Sequence, residues 1–78
     1  MTVGDIKKAL GITGEHFDDL LTIYMNTTVD YLRGAGVKEE NINIGVVARG
    51  VSDLWNYGAG KGAWSTIFVD MVTQLALR

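Results

Sequence analysis

Gly60-Lys61 is the first pair in this sequence whose types suggest chemistry, because a glycine followed by a lysine closes a phosphate-binding loop. That loop needs a glycine five residues before the second one, a Ser or Thr after the lysine, and a strand leading in. Here the earlier position is Trp55, Gly62 follows the lysine, and the preceding segment reads as helix. Without those parts no backbone amides are arrayed around a phosphate. Glu15, Asp18 and Asp19, with His16 beside them, have the types for paired catalytic acids or a metal site. Adjacent residues of a helix do not face one another, so the spacing favours a solvated acidic first turn. With no cysteine and one histidine, a zinc site would need carboxylates for its other ligands, an unusual donor set. No Ser/His/Asp or Cys/His arrangement can be assembled. The expectation is a protein that is not an enzyme and holds no cofactor or metal.

Residues 2–21, TVGDIKKALGITGEHFDDLL, carry Ile6, Ala9, Gly11, Ile12 and Leu20 at the spacing of a helix-turn-helix. A recognition helix must bring basic or amide side chains to phosphates and base edges. This one opens on Glu15, His16, Asp18 and Asp19. Seven basic against nine acidic residues, a net charge of −2, argues the same way. A small DNA-binding regulator using residues 2–21 therefore stands as the alternative reading.

The aromatic residues carry more weight. Trp55, Tyr57 and Trp64 flank a glycine-rich stretch, and Tyr24 and Tyr31 lie seven apart on one helix face. Core packing accounts for Tyr24, Tyr31 and Trp55. Tyr57 and Trp64 bracket the stretch, where a thin core struggles to cover both. Large aromatics at an incompletely covered edge are typical interface anchors. Tyr57, Lys61 and Trp64 are the candidates for contact with further copies of the chain or with a different docking partner.

What must position these groups is a chain of 78 residues, read as a single domain over 1–78. A chain this short buries only about 60–65% of the surface it exposes when unfolded. Without disulfides, its stabilisers are efficient helix packing or oligomerisation. Hydrophobic residues make up 47% of it, more than so small a core readily hides. No uncharged run approaches the roughly 20 residues of a membrane span. The opening lacks a basic n-region and an apolar h-region, so no signal peptide is expected. The absence of cysteine fits a reducing compartment.

With no proline, glycine does the punctuation, and the clusters at 11/14, 34/36 and 58/60/62 cut the chain into four segments. Each reads as helix. Thr2 and Asp5 form a capping box for the first, with Asp in place of Glu, and Gly11 stops it. In it Val3, Ile6, Ala9 and Leu10 face inward, with Lys7 and Lys8 outside. Thr13 is the expected cap of the long second helix. Its stripe is Phe17, Leu20, Leu21, Tyr24, Thr28, Tyr31 and Leu32, and Gly34 and Gly36 end it. Asn41 or Asn43 caps the third. There Ile44, Val47, Val51, Leu54 and Trp55 face inward, Arg49, Ser52 and Asp53 face out, and Gly50 allows a close helix crossing. Ser65 caps the fourth, with Ile67, Phe68, Met71, Val72 and Leu75 inward. The expected fold is all-α, a compact bundle of about four helices (short, long, medium, medium) with a glycine-rich loop before the last.

Taken in order, these segments resemble the small head–tail connector proteins of tailed bacteriophages and prophages, also called adaptors or head-completion proteins. MTVGDIKKALGIT resembles that family's start, a short helix ending in a Leu-x-Ile-type turn. DDLLTIYMNTTVDYL resembles its long second helix, with paired acids, a leucine pair and a later aromatic-Leu. GVVARGVSDLWNY and STIFVDMVTQLALR resemble its third and closing helices. The resemblance implies a structural role: copies of the chain assemble as a ring beneath the portal protein of a phage head. The ring extends the DNA channel and offers a docking surface to the tail-side head-closure protein. It implies no active site, no membrane partner, and DNA that passes the lumen without sequence-specific binding. The implied location is the virion head–tail junction, and the host cytoplasm during assembly. A mildly acidic chain suits such a lumen, since every fixed cation would add phosphate affinity. Residues 1–40 hold four basic and seven acidic groups, and residues 41–78 three and two, so unlike halves could meet across a ring contact.

Overall fold

Thr2 and Asp5 start the first helix as the sequence predicts. In the computed structural model, which describes residues 1–57 and 64–78, the Thr2 hydroxyl accepts from the Asp5 amide at 3.3 Å. The Asp5 carboxylate accepts from the Thr2 amide at 2.9 Å. This capping box opens α1, Val3–Leu10, and left-handed Gly11 (φ 70°) closes it. The chain continues into α2, Asp18–Gly34, then a 3-10 turn, Glu39–Asn41. The helices α3, Ile44–Tyr57, and α4, Thr66–Ala76, complete the described elements. All are helical, and no strand occurs among the described residues.

The second helix starts later than its periodicity suggests. Gly14 sits at φ 80°, a left-handed conformation that interrupts any helix begun at Thr13. The first helical residue is Asp18. Its N-cap, Phe17, makes no side-chain capping bond. At the other end Gly36 (φ 90°) reverses the chain, so that the Val37 amide donates to the Leu32 carbonyl at 3.0 Å and Val37 is buried. Of the two asparagines, Asn43 caps α3, its Oδ1 accepting from the Val46 amide at 3.1 Å. The Ser65 hydroxyl caps α4, accepting from the Phe68 amide at 3.2 Å.

The third helix is the spine, packed on α1, α2 and α4. Burial nearly all round it explains its low polarity. Val46, Val47, Val51 and Leu54 are buried, with Ile6 from α1, Leu21 and Leu32 from α2, and Phe68 and Val72 from α4. Tyr24, Tyr31 and Met71 are half-buried against this cluster. Gly50 lets α2 and α4 close on the spine. A Cβ there would lie 2.9 Å from the Phe68 ring and closer still to Thr28 Cγ2.

Four residues expected in the core lie at its margin instead: Phe17, Leu20, Trp55 and Ile67, exposed by 43%, 37%, 39% and 61%. Ile44 is also exposed. The inward row of α2 is Leu21-Met25-Thr28-Leu32, which leaves Leu20 on the flank shared with Tyr24 and Tyr31. The start of α4 covers that flank at Tyr31, eleven residues and about 16 Å further along the helix. Ile67 lies about 100° round α4 from the Phe68-Val72-Leu75 row. Two charged residues read as outward turn the other way. Lys7 is only 17% exposed and donates from Nζ to Asp18 Oδ1 at 2.8 Å, pinning α1 to the start of α2. Asp53 is buried.

The surface carries one acid-sensitive device. The Thr2 amide holds the Asp5 carboxyl below its ordinary range, and the Arg33 guanidinium does the same to Glu39, which spans α2 and the 3-10 turn. A carboxyl whose pKa is lowered by folding stabilises the fold at pH values above its unfolded value. That contribution is lost as pH falls through the folded value. Melting temperature is therefore expected to drop below about pH 4. The drop should be shallower in the Asp5→Asn/Glu39→Gln double variant; parallel pH profiles would show that neither contact matters.

Candidate functional site

Three groupings arise where helices meet. The first joins α3 to α4. Asp53 Oδ2 accepts from the Ser65 amide at 3.0 Å and from the Ser65 hydroxyl at 2.8 Å. Arg49 Nε lies 3.8 Å from Asp53 Oδ1, and its Nη2 donates to Ser65 Oγ at 3.4 Å. Ser65 thus caps α4 while being held by the spine. This is a structural clasp. The charge of Asp53 suggests a solvent-facing position, but one signal in the sequence points inward: Val46, Gly50 and Asp53 fall at i, i+4 and i+7, so the face that crosses closely at Gly50 also carries Asp53.

The second grouping involves Trp64. Its ring stacks on Tyr31 at 4.9 Å and on Phe68 at 4.7 Å between centroids, and the side chain is half-buried. This interface candidate therefore spends much of its surface covering the core where α4 begins. Lys61 and the glycine-rich loop lie outside the described residues. Tyr57 is described only as the last residue of the α3 backbone.

The third grouping is the candidate interaction surface. The fold brings Phe17, from the start of α2, edge-to-face against Trp55, near the end of α3, at 5.0 Å and 87°. His16 meets Phe17 edge-on at 4.7 Å. Leu20 lies one turn along α2. Beside them Leu10, Ile12, Ser52, Trp55 and Asn56 line a cleft of about 140 Å³. Three large apolar side chains thus stand open at one end of the spine. The surrounding charge is acidic: Asp18 is taken by Lys7, but Glu15 and Asp19 are exposed with no ion-pair partner among the described residues. Edge-to-face aromatic pairs gain beyond area burial, so Phe17 and Trp55 hold each other in a fixed pose. A prepositioned aromatic pair with a polar rim has the make-up of an interface anchor.

The acidic residues do not converge. Among the described residues no three His, Asp or Glu side chains are placed to hold a metal ion. Among them also, no helix is long and apolar enough to cross a membrane. Residues 11–17 join α1 to α2, a longer connection than the three or four residues of a helix-turn-helix turn. Comparison with known proteins adds no further identification, for no family model, curated protein or solved structure matches this chain.

Proposed function

We propose that this chain is a structural virion assembly protein, a subunit of an oligomeric ring that joins the portal of a phage head to its tail and extends the DNA channel. The observation that carries the reading is the open apolar group Phe17, Leu20 and Trp55, which a helical domain of this size leaves uncovered at one end. A ring subunit needs such surface, since it buries two different faces against its neighbours. The order of helices, short, long, medium and medium, agrees with the resemblance drawn from the sequence. In this reading the partners are other copies of the chain, the portal protein and the tail-side closure protein, at the head–tail junction.

The helix-turn-helix regulator is less well supported. Its recognition helix would begin at Asp18-Asp19, and two carboxylates would meet the phosphate backbone.

Native mass spectrometry or light scattering across a concentration series separates the two. A step from monomer to one closed oligomer, alone or on addition of a cognate portal protein, is expected. A dimer whose DNA gel shift survives about 150 mM salt would overturn the assembly reading in favour of the regulator.

A further inference from the structure

We infer that the two ends of α3 carry the two unlike halves of a single head-to-tail contact between copies of this chain. One half is the aromatic knob of Phe17 and Trp55 with its acidic rim, Glu15 and Asp19. The other is a groove of about 450 Å³ between the start of α3 and the end of α4. Val46, Met71 and Leu75 supply its apolar lining, and the cationic residue Arg78 lines it as well. No carboxylate side chain lines it.

The two surfaces are complementary in three respects. The knob is made of standing aromatic side chains, and the groove is concave and apolar. The knob has uncompensated anions at its edge, and the groove has a cation. Their positions also differ: Val46 and Trp55 are nine residues apart on one helix, about 14 Å along its axis. Nine residues also turn the helix by about 180°, so the two patches face opposite ways and one two-fold contact cannot engage both. They join successive copies heterologously, and such a contact closes into a ring or runs on as a filament. The occupant, a second copy, follows from this charge and shape match and rests on the reading of the chain as a self-assembling subunit. Opposed charges at the edge chiefly set register and association rate.

The test uses the full chain and two variants chosen to spare the fold. Phe17→Asp removes the knob at an N-cap position where Asp is favoured. Gln74→Glu/Arg78→Glu makes the groove acidic at two exposed positions. Light scattering of wild-type protein should show association. Each variant alone should keep its helical circular dichroism and shift half-association by about tenfold or more in concentration. Mixed, the variants should give a one-to-one dimer and nothing larger, because one intact knob meets one intact groove. An oligomer of unchanged size in both variants would overturn the inference and leave the assembly reading standing. Symmetric dimers of either variant alone would also overturn it. Wild-type protein monomeric to about 1 mM would overturn it too, and portal binding would then decide the assembly reading separately.

Discussion

Asp53→Ala is expected to destabilise the protein by about 2–4 kcal/mol, read as a lower urea midpoint at unchanged slope. The magnitude follows from what the carboxylate holds. It accepts from both the amide and the hydroxyl of Ser65 in a buried position, and bonds to a charged acceptor contribute about 1.5–3 kcal/mol each. Truncation leaves those donors without their acceptor and loosens the cap of α4 in the same step. Arg49 loses its counter-charge as well: its side chain is 41% exposed, but the Nε beside Asp53 is buried. A domain of this length holds only about 4–12 kcal/mol in total. Asp53→Asn, which keeps an acceptor but not the charge, should lose about half as much. In a double-mutant cycle, Asp53→Ala and Ser65→Ala should couple by about 1–2 kcal/mol. Additive effects would mean that the two side chains act independently.

Gly50→Val is the second large effect, about 2–4 kcal/mol of destabilisation. A β-carbon at this position is favourable for the helix by about 1 kcal/mol, so the sign depends on whether the neighbours can move. They are poorly placed to do so. Thr28 Oγ1 donates to the Tyr24 carbonyl at 2.8 Å, which fixes the rotamer that points Cγ2 at Gly50. Phe68 is fully buried and packed against Tyr31 and Trp64. Gly50→Ala should be destabilising too, but less so. Adding Thr28→Ser, which deletes Cγ2 and keeps the hydroxyl, should recover part of the loss in either variant. A higher melting temperature for Gly50→Ala would show that the crossing has slack.

The pattern of where sequence reasoning succeeded has a physical basis. Capping is local, so Thr2, Asp5, Gly11, Gly36 and Ser65 were legible, because each acts on residues within one turn. The tight crossing at Gly50 was also legible, since a glycine inside a helix has few other uses. Which face of each helix is inward was less so. A 3.6-residue period allows a stripe of some 100° or more, and the centre of that stripe depends on where the neighbouring helix ends. Leu20 and Ile67 fit the period yet lie where no neighbour reaches. Asp53 failed in the opposite sense: its charge suggested water, and only the arrival of Ser65 from across the chain makes its burial tolerable. Trp64 covers core at the start of α4, and Trp55, assigned to the core, stands half-open beside Phe17.

The asymmetry of the packing has a consequence for how the molecule breathes. The first three helices pack on one another, whereas α4 rests on α3 through one row of side chains and the Asp53–Ser65 clasp, and on α2 through the aromatic contacts of Tyr31. Cooperative units of unequal stability follow from such unequal contact. Amide hydrogens at Val47 and Val51, deep in the spine, are expected to exchange with solvent only when the whole domain unfolds. Those of α4 are expected to exchange faster, through a sub-global opening in which the last helix lifts away and α1 to α3 stay folded. Among the described helices, α4 is therefore expected to open first, and the Asp53–Ser65 clasp to set how readily it does.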